Sequence, residues 1–551
     1  MLDERAAPPG RRPPPRRGGG GPRLERAMDS CFTVLGSGAS SGVPWLGCVL
    51  EDKEGGVTHG CCAVCADALS TPHSPNRRSN VSCALRFARP DGAGLFNVVV
   101  DCGKTFRETC TRVWPRLSPP MRRLHALLLT HPHADAFMGL DCLREASPGF
   151  PVHVYCHAPT MARIREAFPY LVPSEAAARA AARCCAGEGG GAQAQAPMPK
   201  TYIADLVFHL IEPWVPFELE GSGGLLVTPI PLEHSGRMGV PSYNEAQDSC
   251  LGFEFGAVLA QPAAALALAG SSGGSSTAGS APPAQLQLPL PLDGRGLPRL
   301  PAFTGDRVLW LSDLRAVSAE VRAYLASRPI SVLCLDSLGQ RPCATHFSLG
   351  QAVACAVDLA GPRSASAGAA RVLLVGMSHE LDHGGENAKL AGVCASARVA
   401  RPAQGARPLV WQGSPSSSSE EPAEASFQPL SLASLSLAHD GASLPVSMTH
   451  RTSLEDLGRE VAALRAAAAA LCAGDAFDYP SAAQAAEVAM KAQSTALEAR
   501  FLPADSGERL ALRRREDYWA ALPPMYTGYE DSPSHVLRGA WRFTMPDGRR
   551  L

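Results

Sequence analysis

The sequence predicts an α/β domain over residues 30–446, preceded by a disordered tail at 1–29 and followed by a helical extension at 447–551. Three observations predict it. Short apolar runs of strand length recur along the chain, helical patterns fall among them, and segments rich in Ala, Gly, Ser and Pro interrupt this order without ending it. Runs that are apolar throughout, without alternation, mark strands buried on both faces.

The first such run opens "SCFTVLGSGASSGVPWLGC" (30–48), a strand leading into a glycine-rich loop. "GLFNVVVDCG" (94–103) and "LHALLLTH" (124–131) are the next strands, followed by "HVYCHAP" and "GLLVTPIPLEHS". Segment 258–303 is dominated by Ala, Gly, Ser and Pro and cannot bury enough apolar surface to offset chain ordering. It reads as an inserted flexible loop, because strand-like "DRVLWLSD" (306–313) follows at once. Segments 183–200 and 412–424 read as smaller insertions of the same kind. "ISVLCLDS" (330–337) and "ARVLLVGMSHE" (370–380) are two more buried strands, and "LSLAHDGASLPV" (435–446) reads as a closing strand pair. Beyond 452, Leu454, Leu457, Val461, Leu464 and Leu471 recur at helical spacing, with Ser453 and Asp456 placed to cap the start. A second, alanine-rich helix near 481–500 completes a hairpin suited to packing or self-association.

Composition excludes several classes of function. The 551 residues include 51 Lys or Arg and 52 Asp or Glu, a formal net charge of −1. Such a chain has no global field to draw it to nucleic acid or a membrane surface. No uninterrupted apolar run approaches the ~20 residues that span a bilayer. The first thirty residues, "MLDERAAPPGRRPPPRRGGGGPRLERAMDS", hold no apolar core of a secretory signal. Their arginines allow an organelle transit peptide, but their prolines forbid a long amphipathic helix, and disorder is the preferred reading. Eighteen cysteines scattered through a long chain suit reduced thiols, so a cytoplasmic location is expected.

The chemistry begins at "THPHADAF" (130–137). His131 and His133 directly follow a strand, where residues i and i+2 project the same way and two imidazoles can converge on one ion. Asp135, next in phase, offers a hard oxygen or a partner for water. Imidazole and carboxylate suit Zn²⁺, Mn²⁺ or Fe. His234 ends "LLVTPIPLEHS" and Asp313 ends "VLWLSD", again at strand tips. Each alone is what a capping aspartate or a satisfied strand-end histidine also looks like; together they point to a metal centre. Separately, Cys62-x-x-Cys65 is a close thiolate pair of zinc spacing. The G-x-G of "LGSGASSG" lacks the helix and acidic residue of a dinucleotide fingerprint, and reads as a tight turn beside the site.

In this order, H-x-H-x-D, "PLEHS", "WLSD" and a histidine after "LDS", the chain resembles the metallo-β-lactamase superfamily over roughly 31–446. Within it, "GSGASSGVP", the cysteine cluster and "PNRRSNVS" (75–82) resemble the phosphodiesterases that hydrolyse cyclic ribose phosphates in bacterial phosphonate breakdown. "DCGKTFRE" (101–108), "HADA" (133–136) and "GMSHELDH" (376–383) resemble an uncharacterised eukaryotic hydrolase branch. The resemblance implies a four-layer αββα sandwich: two mixed sheets face to face, helices outside, metals at one sheet edge. It implies a first metal site of His131, His133, His234 and Asp313, and a second containing Asp135 and a bridging Asp313. His346 matches the histidine that protonates the leaving oxygen. A structural zinc would be held by Cys62, Cys65 and His379 with Cys48 as the third thiolate, for which Cys61 competes.

Two residues depart from that pattern: Ala136 and Gly376 stand where the second site carries histidines. A second site reduced to Asp135 and a shared Asp313 should hold its ion weakly, so one or two divalent ions (Zn or Mn) are expected beside the structural zinc. Four protein ligands close a tetrahedral zinc, so turnover at the first site needs five-coordination or movement of Asp313. Asp135 would then position or deprotonate the water. His383 and His439 are alternative ligands, read first as surface histidines. The expected activity is a metal-dependent hydrolase, a phosphodiesterase of small or cyclic phosphate esters. The competing expectation is a weakly active or inactive metal-binding member of the fold, acting in ligand binding or protein interaction.

Overall fold

The structure is a computed structural model that describes residues 29–50, 62–147, 149–172, 203–234, 249–260, 304–360, 370–400, 409–411, 427–429 and 432–471. All but Asp29 of the expected tail at 1–29, the insertions at 183–200 and 412–424, most of the insertion at 258–303 and the helix near 481–500 lie outside these residues.

The strands are β1 (Cys31–Gly36), β2 (Ser82–Ala88), β3 (Leu95–Val100), β4 (Ala126–Leu128), β5 (Val152–Cys156), β6 (Leu206–Leu210), β7 (Phe217–Glu218), β8 (Leu225–Glu233) and β9 (Ser249–Leu259). They continue as β10 (Val308–Leu311), β11 (Val332–Asp336), β12 (Ala370–Val375), β13 (Ala397–Ala400), β14 (Leu409–Trp411), β15 (Phe427–Pro429), β16 (Leu432–Leu437), β17 (Ser443–Pro445) and β18 (His450–Thr452). One mixed sheet runs β17-β1-β2-β3-β4-β5-β6. The other runs β16-β12-β11-β10-β9-β8-β7, with β18 added in parallel to β9. β13 to β15 make a separate three-stranded sheet.

Three apolar clusters account for four layers. Between the sheets lie Phe32, Phe87, Phe96, Phe253, Phe255 and Trp310. Beneath the first sheet, Val99, Leu127 and Val154 pack on Phe106, Met161 and Ile164 of helices Phe106–Arg112 and Ala158–Ala167. Beneath the second, Leu309, Leu333 and Val372 pack on Val321, Val353 and Leu390 of helices Ala319–Ala326, Leu349–Ala360 and His383–Ser396. Val98 and Val100 face one cluster while Val99 faces another, as the period of two requires. This is the αββα sandwich, and it explains why the strands read as continuous apolar runs.

The stretch 435–446 corrects the expectation of a strand pair. β16 pairs with β12 in one sheet and β17 with β1 in the other, so the turn between them crosses the sandwich. The helix that opens the C-terminal extension, Leu454–Leu471, packs on the domain: Val461 and Leu464 join the core beneath the second sheet. Ser453 Oγ accepts from the Asp456 N–H at 3.0 Å and caps it. Arg465 reaches Glu320 at 2.6 Å, and Arg328 pairs with Glu460 in the interior. Among the described residues, no helix is long and apolar enough to cross a membrane.

Strand direction places the chemistry. β8 and β10 run antiparallel to β9, so their C-terminal tips meet the start of β9; β10, β11, β12 and β16 run parallel. All these tips, with those of β3 and β4, gather at one end of the sheets, where open α/β sheets hold their ligands.

Near the opposite end, Arg307 is buried and donates to Glu254 at 2.7 Å and to the carbonyls of Leu325 and Arg328 at 2.8 and 3.1 Å. Removing one member of such a buried pair costs about 3–5 kcal/mol. Arg307→Met is therefore expected to lower unfolding stability by about that much in denaturant titration, and Arg307→Met with Glu254→Leu by clearly less. Equal losses in the two variants would show that the ion pair is not what the site depends on.

Candidate metal centre

His131 lies three residues past the last position of β4 and is 1% exposed. The His131, His133 and His234 rings lie 4.7, 4.9 and 5.0 Å apart, and His133 Nδ1 is 3.1 Å from His234 Nε2. Asp135 enters on the short helix Ala134–Phe137, and Asp313 follows β10. Ligand atoms of His131, His133 and His234 fall within 4.8 Å of one another, as do those of His131, Asp135 and Asp313. The two triads share His131, so these five residues lie around one end of the sheets.

Outer contacts fix which nitrogen faces inward. Thr130 donates its hydroxyl to Asp101 at 2.8 Å and stands 2.8 Å from His131 Nδ1, which leaves His131 Nε2 for the centre. His234 Nδ1 donates to the Thr345 carbonyl at 3.1 Å, which frees Nε2. Asp101 and Asp313 both hold positive φ, 61° and 53°, in the left-handed region that Asp tolerates better than most residues. Gly103 is required for close approach: any Cβ there would collide with the backbone of Asp135.

The donor set fits a divalent cation. His131 Nε2, Asp135 Oδ1 and Asp313 Oδ2 are all buried without a hydrogen-bond partner, each at a cost of about 1–3 kcal/mol. Burial alone would lower the His131 imidazole, but Asp135, at 3.6 Å, and then Cys250 and Asp313 hold it well above its ordinary value. Burial pushes Asp313 up to about 6 despite His131. The cavity asks for positive charge, and imidazole with carboxylate is the ligand chemistry of Zn²⁺ or Mn²⁺.

Asp101 and Asp336 are contributors that sequence reasoning passed over. Asp336 ends β11, is fully buried, and accepts from the Phe347 N–H at 3.2 Å while lying 3.0 Å from His346 Nδ1. Burial opposes protonation of His346, but Asp336 outweighs it and raises the imidazole to about 9. Ligand atoms of His346, His234 and Asp313 also lie within 4.8 Å of one another. An acid ending an apolar strand, as in "WLSD", was the available signal.

Asp336 also bears on the two departures. Gly376 holds φ +78°, and any Cβ there would collide with Asp336 Oδ1. The position expected to carry a histidine is thus occupied in space by the carboxylate that orients His346. Ala136 is 1% exposed in the short helix beside Asp135. His383 and His439 pair with each other, ring centroids 5.6 Å apart, and belong to no ligand cluster among the described residues.

The cysteine group converges as well. Ligand atoms of Cys48, Cys62, Cys65 and His379 fall within 4.8 Å, and His379 Nδ1 lies 3.4 Å from both Cys48 Sγ and Cys62 Sγ. Trp45 N–H donates to Cys65 Sγ at 3.2 Å. The hydrogen bond with Cys65, assisted by His379, pulls the Cys62 thiol down to about 4 against its burial. Three sulfurs and one imidazole are a closed zinc set. Cys61, the competing thiol, lies outside the described residues. "PNRRSNVS" supports this group: buried Arg78 donates to the Ser378 and Leu381 carbonyls and so holds the loop bearing His379.

A strand-tip His/Asp centre in an αββα sandwich defines a class of metal-binding hydrolase folds. Residues 96–273 match the family described as the beta-lactamase superfamily domain. That superfamily is mostly metal-dependent hydrolases, and the αββα sandwich described above is consistent with its fold. No curated protein matches the chain. Among solved structures, a diphosphatase from the PhnP family is 20% identical, covering 75% of this chain and 97% of its own, with TM-score 0.40. Zn²⁺-bound PqqB from Methylobacterium extorquens is 14% identical, covering 64% of this chain and 90% of its own, with TM-score 0.34. The short form of human tRNase Z is 13% identical, covering 63% of this chain and 93% of its own, with TM-score 0.32. At these values the likenesses carry no functional information.

Two outcomes follow from the geometry. Gly376→His should add no metal equivalent and should lower stability by at least about 1–3 kcal/mol, from the positive φ and the displaced Asp336; a tightly held extra ion at unchanged stability would refute this account. Cys65→Ser should remove one zinc equivalent by elemental analysis and lower the melting temperature; unchanged metal content would dissociate the cysteines from zinc.

Proposed function

We propose that the protein is a metal-dependent phosphodiesterase that cleaves small or cyclic phosphate esters with a single active-site ion. The observation that supports it most directly is the convergence of His131, His133, His234 and Asp313 around buried, unpartnered donor atoms, with His346 alongside. His131, His133, His234 and Asp313 would hold the ion. A divalent ion there supplies Lewis-acid polarisation of a phosphoryl oxygen and water activation near neutral pH.

The chain's own groups do the rest. His346 is fixed through Nδ1 by Asp336, which leaves Nε2 to carry the proton that a leaving alkoxide requires. Asp135 keeps one carboxylate oxygen without a hydrogen-bond partner, free to orient a water. His131, His234 and Asp313 are almost wholly buried, and so restrict bulk water at the reacting centre. Ala136 and Gly376 support a second reading, a metal-bound protein that binds ligand without turnover.

Leaving-group dependence separates the two readings. With one ion bound, the protein should hydrolyse both an alkyl nucleoside phosphodiester and bis(p-nitrophenyl) phosphate, and His131→Ala should abolish ion and turnover together. His346→Ala should slow the alkyl ester about 10²–10⁴-fold, because alkoxide needs a proton, and the p-nitrophenyl ester far less. Equal slowing of both esters would remove the acid role. Bound metal with no turnover across Zn²⁺, Mn²⁺ and Fe²⁺ would leave only the binding reading.

A further inference from the structure

A third cluster of ligand atoms lies outside both sites described above. His153 is on β5, His209 on β6 and Glu220 in the turn between β7 and β8. β6 ends the order of one sheet and β7 ends the order of the other, so the three residues come from two sheets at one open edge. His153 Nδ1 stands 2.9 Å from His209 Nε2, and Glu220 Oε2 is 3.5 Å from the first and 3.8 Å from the second.

These distances are not those of a hydrogen-bonded trio. One proton between the rings would satisfy the two imidazoles and leave the carboxylate at or beyond hydrogen-bond range of both. The point equidistant from the three atoms, by contrast, lies about 2.0 Å from each, the length of a zinc bond to imidazole or carboxylate. The supports are built in. Tyr155 stacks on His209 with centroids 4.4 Å apart and planes 12° apart, and its hydroxyl accepts the Glu220 N–H at 2.8 Å. One aromatic residue thus fixes a ring and the backbone of the third ligand. His153 and His209 side chains are 19% and 28% exposed and Glu220 is 65% exposed, so an ion can enter from solvent.

We propose that His153, His209 and Glu220 form a further transition-metal site, of the zinc type, that clips the two sheets together at their free edge. Two imidazoles and one carboxylate leave a fourth position to water. Harder cations such as Mg²⁺ are disfavoured by the imidazole pair, whereas Cu²⁺ and Ni²⁺ should bind in competition with zinc.

The test uses full-length protein and Zn²⁺ alone. After chelation and titration with Zn²⁺, the wild type should bind one equivalent more than His209→Ala. Glu220→Gln, an exposed change that leaves the fold undisturbed, should weaken one equivalent by at least about 10–100-fold. Cys65→Ser should lose a different equivalent and keep this one, and the Zn²⁺-induced rise in melting temperature of Cys65→Ser should shrink when His209→Ala is added. Equal zinc stoichiometry and affinity in the wild type, His209→Ala and Glu220→Gln would overturn the proposal.

Discussion

Three buried atoms without a hydrogen-bond partner set the terms for this fold: His131 Nε2, Asp135 Oδ1 and Asp313 Oδ2. Two carboxylates cannot share an interior of low polarity without a counter-charge, and among the described residues no Lys or Arg forms an ion pair with either. The surrounding structure is arranged around that demand. Strand tips from both sheets deliver the ligands, Thr130 and Asp101 orient one imidazole, and Asp101 and Asp313 take left-handed backbone to do so. The sandwich provides the rigidity that holds such conformations, because every contributing strand is packed on both faces.

Gly376, where the sequence resemblance places a histidine, is coupled to what surrounds it. Gly376 and Asp336 contend for one volume, and the chain gives it to the carboxylate that positions His346. Loss of a ligand and gain of an oriented imidazole are therefore two descriptions of one packing choice.

What could be read in the sequence was what a short run of residues carries. Strands buried on both faces show as continuous apolar segments, and H-x-H-x-D keeps its donors adjacent in sequence, although the loop and short helix after β4, not strand periodicity, bring them together. Asp101 and Asp336 were missed because each acts through another residue, and an acid at a strand tip looks the same whether it caps, ligates or orients. The division of 435–446 between two sheets was hidden because strand propensity carries no information about partner choice. The helix from Leu454 was visible as a stripe, yet the surface that receives it was not. His153, His209 and Glu220 are joined only by the edge-to-edge meeting of the sheets, which no local spacing announces.

The long low-complexity segment has a definite address. It joins β9 to β10, which pair directly with each other, and it leaves from Leu259 and returns near Val308, the ends remote from Cys250 and Asp313. A connection between strands already held in register adds closure entropy only logarithmically, about 0.6 kcal/mol for each doubling of its length. The hairpin is thus a tolerant port: sequence can lengthen, shorten or be exchanged there without its roots disturbing a single metal donor. A selection pressure on the end that bears the His and Asp donors and a drift in the segment's length can proceed in one chain independently.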